Sequence, residues 1–202
     1  MSFLKKLIRF GFCRCFNLFN ITMTLPRRLL FLFLSGRVTK IGNATFYQPA
    51  LRRGQGTIAF GHSVKIGVSQ SPYFYSTYAY IEARGKNAKI EIKDNVWCNN
   101  NFVAIADQTT ITISEGCLIG VNVEILDSNF HDLRPTHRHQ ASDPNPMPVF
   151  IGKNVFLGNN VKILKGVSIG DNTVIGNASV VTKSIPENVI AAGNPCKVIR
   201  PL

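Results

Sequence analysis

Between Ile151 and Pro186 the chain falls into six consecutive blocks of six residues, IGKNVF, LGNNVK, ILKGVS, IGDNTV, IGNASV and VTKSIP. Each block opens on an aliphatic residue (Ile151, Leu157, Ile163, Ile169, Ile175, Val181), and its fifth place is small or β-branched (Val155, Val161, Val167, Thr173, Ser179, Ile185). An amphipathic helix repeats its apolar residues every ~3.6 positions and a half-buried strand every two, so a strict period of six with two inward places fits neither. A parallel β-helix with three short strands per turn does fit. Each block is then one flat face and three blocks close a coil. The aliphatic residues stack coil upon coil, while Gly, Asn and Asp turn the corners.

The period extends towards the N-terminus with interruptions. Ile41–Phe46 (IGNATF) and Phe60–Lys65 (FGHSVK), followed by Ile66-Gly67, read as early, irregular turns of the same object. Val68 to Tyr80 is out of register and rich in aromatics. It reads as a surface loop or a contact with a cap, the alternative being a wall of tyrosines for a sugar ring. Regular blocks resume at Ile92, Cys98 and Ala104, and a three-residue slip then moves the register to Ile113, Ile119 and Ile125. From Phe130 to Val149 the period stops altogether, in a stretch with three histidines and four prolines. A solenoid admits an insertion only as a loop leaving one corner, and such loops carry the binding face. The chain therefore divides into residues 1–40, a basic apolar segment; residues 41–80, irregular first coils and the aromatic loop; and residues 81–202, a repeat domain with the loop 130–149.

These blocks resemble the hexapeptide-repeat acyltransferases. The closing run VVTKSIPENVIAAGNPCKVIR is similar to that of the maltose, galactoside and polysaccharide O-acetyltransferases. The resemblance covers about Ile81 to Leu202. It implies an all-β fold, a left-handed parallel β-helix of hexapeptide repeats, which is an exception to the right-handed crossover rule. It also implies acetyl-CoA as co-substrate, a sugar or glycan as acceptor, and a homotrimer with sites between neighbouring prisms.

The segment Asp127-Ser128-Asn129-Phe130-His131 is similar to the place where relatives keep a general base. His131 is thus the expected catalytic residue, taking the proton of an acceptor hydroxyl that attacks the thioester directly, without an acyl-enzyme. An imidazole with an ordinary pKa of ~6.5 is largely neutral near pH 7 and suits that task. Asp127 or a backbone carbonyl would orient the other ring nitrogen. In the family, the residues matching Asn159, Asn177, Thr182, Lys183, Lys197 and Arg200 contact CoA, and the one matching Asn100 helps bind the acceptor. One departure stands out: Gly176-Asn177-Ala178-Ser179 replaces the more usual Gly-Ala-Gly-Ser, which makes that corner bulkier. His137 and His139 read as solvated or as lining the way in. Their spacing with His131 or His62 does not resemble the three-histidine zinc pattern of the carbonic-anhydrase branch of the fold, so no metal is expected.

Charge is unevenly distributed. No Asp or Glu precedes Glu82, whereas 11 Lys and Arg do, so residues 1–81 carry +11 while the remaining 121 hold 12 basic and 11 acidic groups. Residues 1–36 mix this charge with apolar side chains. Pro26 is expected to break any helix there, leaving the segment only partly helical. The apolar run Leu29–Leu34 is far shorter than the ~20 residues that span a bilayer. No apolar core and cleavage site of a secretory signal are present. The segment reads as a cap for the first coil, as a contact with an anionic membrane surface, or as both. Five cysteines (Cys13, Cys15, Cys98, Cys117, Cys196) form no disulfide or metal framework, and Cys98 and Cys117 fall at core positions. The expected location is cytoplasmic, peripheral at the inner face of the cell membrane.

The function these features imply is O-acetyl transfer from acetyl-CoA to a sugar hydroxyl in surface polysaccharide or lipopolysaccharide biosynthesis. The rivals are an N-acetyltransferase acting on an amino sugar and a non-catalytic β-helix scaffold. Residues 1–60 lack the nucleotide-binding βαβ pattern usual in the former. The helical N-terminal domain of serine acetyltransferases is not expected either. No nucleic-acid motif accompanies the basic charge, so no nucleic-acid partner is expected.

Overall fold

Where the hexads demand corners, the chain turns. In a computed structural model of the protein, residues 19–36 and 38–202 are described. Twenty strands wind into three sheets. The first holds Thr39–Ile41, Thr57–Phe60, Lys89–Ile92, Thr110–Ile113, Val149–Ile151 and Ser168–Ile169. The second holds Ala44–Phe46, Val64–Ile66, Trp97–Cys98, Leu118–Ile119, Phe156–Leu157, Val174–Ile175, Val189–Gly193 and Cys196–Pro201. The third holds Ala50–Gly54, Ala79–Ala83, Val103–Ala106, Glu124–Leu126, Lys162–Ile163 and Val180–Val181. Every strand pairing is parallel except the last, between Val189–Gly193 and Cys196–Pro201.

Block-opening residues pair with block-opening residues. Ile92, Ile113, Ile151 and Ile169 stack in the first sheet. Cys98, Ile119, Leu157 and Ile175 stack in the second, and Ala104, Ile125, Ile163 and Val181 in the third. All are buried, each large aliphatic contributing about 1.5–3 kcal/mol. The two core cysteines behave as small hydrophobes. Burial raises the Cys98 thiol and pushes Cys117 up to about 11, so neither ionises at neutral pH.

Two side-chain devices close the corners. The fourth residue of a block adopts the left-handed conformation, with φ of 59° at Asn95, 58° at Asn101 and Asn122, 52° at Asn154, 59° at Asn160 and 57° at Asn172. Asparagine tolerates that region better than other side chains with a Cβ. It also forms ladders: Asn101 Nδ2 donates to Asn122 Oδ1 (2.8 Å), Asn122 to Asn160 (2.9 Å) and Asn172 to Asn188 (2.9 Å). At several corners the third residue supplies an oxygen that accepts the backbone N–H of the third residue one coil earlier. Asp94 takes His62 N–H, Asn100 takes Val68 N–H, Asn159 takes Val121 N–H, Asp171 takes Lys153 N–H and Asn177 takes Asn159 N–H, all at 2.8–2.9 Å. Buried or crowded amides at the corners are thereby satisfied.

Both ends of the described solenoid are closed. Residues 19–34 are helical straight through Pro26, contrary to the break expected there. The missing N–H and the ring cost roughly 3 kcal/mol in a helix interior, and tertiary contacts offset this. Arg27 donates to the carbonyls of Tyr75 and Thr77, Phe31 packs on Tyr78 with ring centroids 4.6 Å apart, and Gly36 N–H bonds Arg52 O at 3.0 Å. The aromatic stretch 68–80 is therefore the seat of this helical cap. At the other end the antiparallel hairpin finishes the second sheet.

Ala178 takes the left-handed fourth place at φ 58° without an amide to join the ladder. Ala178→Asn is expected to raise stability by about 1 kcal/mol, from the ~1–2 kcal/mol left-handed penalty of an ordinary residue. Urea unfolding monitored by circular dichroism checks it, and an unchanged or lower midpoint contradicts it.

Candidate active site

The corner between the third and first sheets carries both the three-residue slip and the excursion, and one carboxylate organises it. The three-residue slip lies at Asp107–Thr109. Asp127, the third residue of its block and fully buried, accepts Asp107 N–H (2.7 Å), Thr109 N–H (2.9 Å) and the Thr109 hydroxyl (2.7 Å). Asp127 is thus spent on the coil below. It does not orient His131.

His131 follows three residues after Ser128, at the root of the excursion. Its Nδ1 lies 2.9 Å from the carbonyl oxygen of Arg138, across the loop, and its ring is exposed. A carbonyl can only accept, so Nδ1 carries a proton, and in the neutral ring it is Nε2 that keeps the lone pair. The residue before it is strained. Phe130 has φ 62°, unusual for a bulky side chain and costing about 1–2 kcal/mol. Two contacts hold it there: its N–H donates to Ser128 Oγ (2.8 Å), and the Arg84 guanidinium lies 4.7 Å from its ring centroid. Arg84 is itself fixed by Glu82 (3.0 Å) and Asp107 (3.5 Å).

The loop is tied back by a second carboxylate. Asp143, 3% exposed, accepts Asn129 N–H (2.7 Å), Asn145 N–H (2.9 Å) and the Lys165 ammonium (2.6 Å). Burial alone would raise its pKa, but these donors outweigh it and hold the carboxyl below its ordinary value. Asp132 is clasped by the Arg134 side chain at 2.5–3.1 Å and by its N–H, which lowers it to about 2. His137 pairs with the neighbouring Thr136 hydroxyl (2.8 Å). Among the described residues no three His, Cys, Asp or Glu side chains gather as a metal set.

The remaining expected residues sit on three features. Asn159 and Asn177 are stacked at the corner between the second and third sheets. Because their oxygens accept backbone N–H groups, their amide NH₂ groups are turned away from the coil and have no protein partner among the described residues. Asn159 also lines a hollow of about 400 Å³ walled by Trp97, Leu118 and Phe156. Thr182 and Lys183 occupy the same corner as the root of the His131 loop, two coils on, and are exposed. Lys197 and Arg200 lie on the final strand, where a register shift between Ile190 and Ala191 sets Lys197 opposite Ala192 and Arg200 opposite Ile190. That bulge turns both cations to one face of the hairpin, which a regular strand would not do for residues three apart. Among the described residues Lys183, Lys197 and Arg200 have no acidic partner, so this end of the prism can receive a polyanion. Asn100 stands elsewhere. It is wholly buried, and its amide is engaged with backbone of Val68, Ser71 and Pro72, so it pins the aromatic loop and presents no free polar atom.

A family model described as bacterial transferase hexapeptide (six repeats) matches residues 148–183. WbbJ of Escherichia coli K12, named for O-acetyl transfer in lipopolysaccharide biosynthesis, is 36% identical over 161 residues, covering 75% of this chain and 76% of that protein. The chain belongs to the hexapeptide-repeat acyltransferases. The galactoside O-acetyltransferase of E. coli K12 is 42% identical over 116 residues, 56% of this chain and 54% of that one. The first two curated relatives are matched over only 60% and 54% of their own length. A galactoside acetyltransferase solved in complex with coenzyme A superposes with a TM-score of 0.53 at 28% identity, covering 87% of this chain and 80% of the other. The winding is accordingly left-handed, as in the rest of this acyltransferase family.

Sequence reasoning missed Asp143 and Lys165. Its one available signal was a lysine at the third, corner-capping place of the third block after the excursion. Removing the buried carboxylate strands Lys165, so Asp143→Asn is expected to lower stability by about 3 kcal/mol at pH 7. Asp143 has a depressed folded-state pKa, so its contribution is full above the ordinary carboxylate value of 3.8 and fades as pH falls through the lower folded value. Denaturant unfolding from pH 7 to pH 2.5 should show the gap between wild type and variant closing below about pH 4; a constant gap contradicts the assignment.

Proposed function

We propose that this chain transfers acetyl from acetyl-CoA to a sugar hydroxyl in the building of a surface polysaccharide or lipopolysaccharide, with His131 as general base. The observation that carries the reading is the Nδ1 contact with Arg138 O, which leaves Nε2 as a lone pair at the mouth of a loop on a rigid corner. His131 Nε2 takes the acceptor proton as the hydroxyl oxygen attacks the thioester carbonyl, and returns it to the departing thiolate. No further proton carrier is needed. The names of the relatives support a sugar acceptor: galactoside for one, lipopolysaccharide biosynthesis for WbbJ, polysialic acid for a third.

For the donor, the outward amides of Asn159 and Asn177 suit the carbonyls of the pantetheine arm. Lys183, Lys197 and Arg200 suit the phosphates, and Thr182 adds a hydroxyl beside them. The thioester supplies the activated acyl group. A panel of sugars and glycans assayed for thiol release is expected to show a kcat for His131→Ala some 10²–10⁴-fold below wild type, with donor affinity kept. Lys197→Ala/Arg200→Ala should instead raise the KM for acetyl-CoA about tenfold or more, an effect weakened by salt. Full turnover by His131→Ala with an active acceptor would remove it as the base.

We further infer a homotrimer. The outer face of the second sheet exposes Trp97, Leu118 and Phe156 to 39%, 52% and 47%, beside the hollow that Asn159 lines. A second prism set against that strip would cover it and complete the donor groove. Phe156→Asp is expected to convert a trimer to monomer in sedimentation velocity; a wild-type monomer at working concentrations contradicts the trimer.

A further inference from the structure

The helix of residues 19–34 is turned inside out for a helix on a water-soluble surface. Its stripe towards the coils is largely polar: Asn20, Thr24, Arg27, Arg28 and Ser35 just beyond its end, with Phe31 among them. All of these polar groups except Arg28 hydrogen-bond within the protein. Arg27 reaches the Tyr75 and Thr77 carbonyls, Asn20 bonds the Tyr75 hydroxyl, Thr24 bonds Asn20 O at 2.7 Å, and Ser35 accepts Arg52 N–H at 3.1 Å. The opposite stripe carries Pro26, Leu30 and Phe33 into solvent, with Phe33 86% exposed, and on its flank Leu25 and Leu29 are 42% and 57% exposed. Thr22 is the one polar residue at its centre. An amphipathic helix buries its apolar stripe against something, and here the protein occupies the other side.

We infer that this helix docks the enzyme on the interface of an anionic lipid bilayer. Charge selects that occupant over a second copy of the chain. Residues 1–81 hold 11 basic and no acidic groups, so two such ends repel one another and are attracted to anionic headgroups. Arg53 and Lys40, both exposed, lie in the coil that the helix packs on. Between helix and coil a hollow of about 150 Å³ is lined by Arg28, Arg52, Leu25, Leu29 and Leu32, among others. The buried Nε of Arg52 has no hydrogen-bond partner. Two guanidiniums with an aliphatic rim are the chemistry of a lipid phosphate with the start of its acyl chains. The helix lies along the interface rather than across it: its 16 described residues rise ~24 Å against a hydrocarbon core of ~30 Å, and none of the described helices is long and apolar enough to cross.

The test uses the full chain, sedimented with phosphatidylcholine vesicles with and without 30–40% phosphatidylglycerol (a roughly cellular anionic fraction). Wild type is expected to partition strongly onto the anionic vesicles and weakly onto the neutral ones, with binding reduced by salt. Leu30→Ser/Phe33→Ser, which touches neither the polar stripe nor the proposed catalytic and donor-binding residues, should weaken partitioning at least about tenfold while the melting temperature and the rate on a soluble acceptor hold. If that variant melts early, Met23→Ser, at a side chain 53% exposed, repeats the measurement. Equal partitioning of wild type and variants overturns the inference. So does an oligomer that dissociates on the substitution without lipid, which would make the face a chain–chain contact.

Discussion

The structure depends on each residue of a coil lying over its counterpart in the coil before. Parallel pairing with stacked side chains leaves almost no latitude: a residue out of register would expose an aliphatic side chain and bury a corner amide. The ladders of aliphatic residues enforce this from inside. Third-place oxygens and fourth-place asparagines enforce it at the corners, where strand pairing lapses. The fold is therefore rigid for a reason that is local and repeated, and a rigid frame can hold a reactive group at a fixed point on its surface.

The candidate site exists because the register is broken twice at one corner. Extra residues at Asp107–Thr109 and the excursion after Leu126 cannot be absorbed in the core, so both are expelled at the same edge. Asp127 stitches the first irregularity and Asp143 the second. Between them Phe130 is held in a costly conformation, which directs the chain so that His131 meets the Arg138 carbonyl. Strain at this residue is sustained by neighbours, Ser128 and Arg84, that belong to the ordered coils.

Much of the fold was legible because six-residue periodicity has a single structural meaning. Ile92, Ile113, Ile151 and Ile169 could be aligned on paper and are found stacked. What was not legible depends on contacts without period. The helix through Pro26 rests on Tyr75, Tyr78 and Arg52, which local propensity does not see. The pairing of Asp143 with Lys165 spans 22 residues of loop and coil. Lys197 and Arg200 share a face through a bulge that no residue type announces. Asn100 shows the reverse: an asparagine at a corner reads equally as ligand or as peg, and only its partners, Val68, Ser71 and Pro72, distinguish the two.

The final hairpin has a meaning beyond closing the second sheet. A parallel coil ends in an edge that matches the underside of any other coil of the same sequence, the geometry by which strands add end to end into filaments. By reversing direction at Gly193–Cys196 and pairing antiparallel, the chain presents a last strand whose hydrogen-bonding pattern no longer matches the next coil. One turnaround thus both gathers the cations at the C-terminal end and blunts the edge of the second sheet.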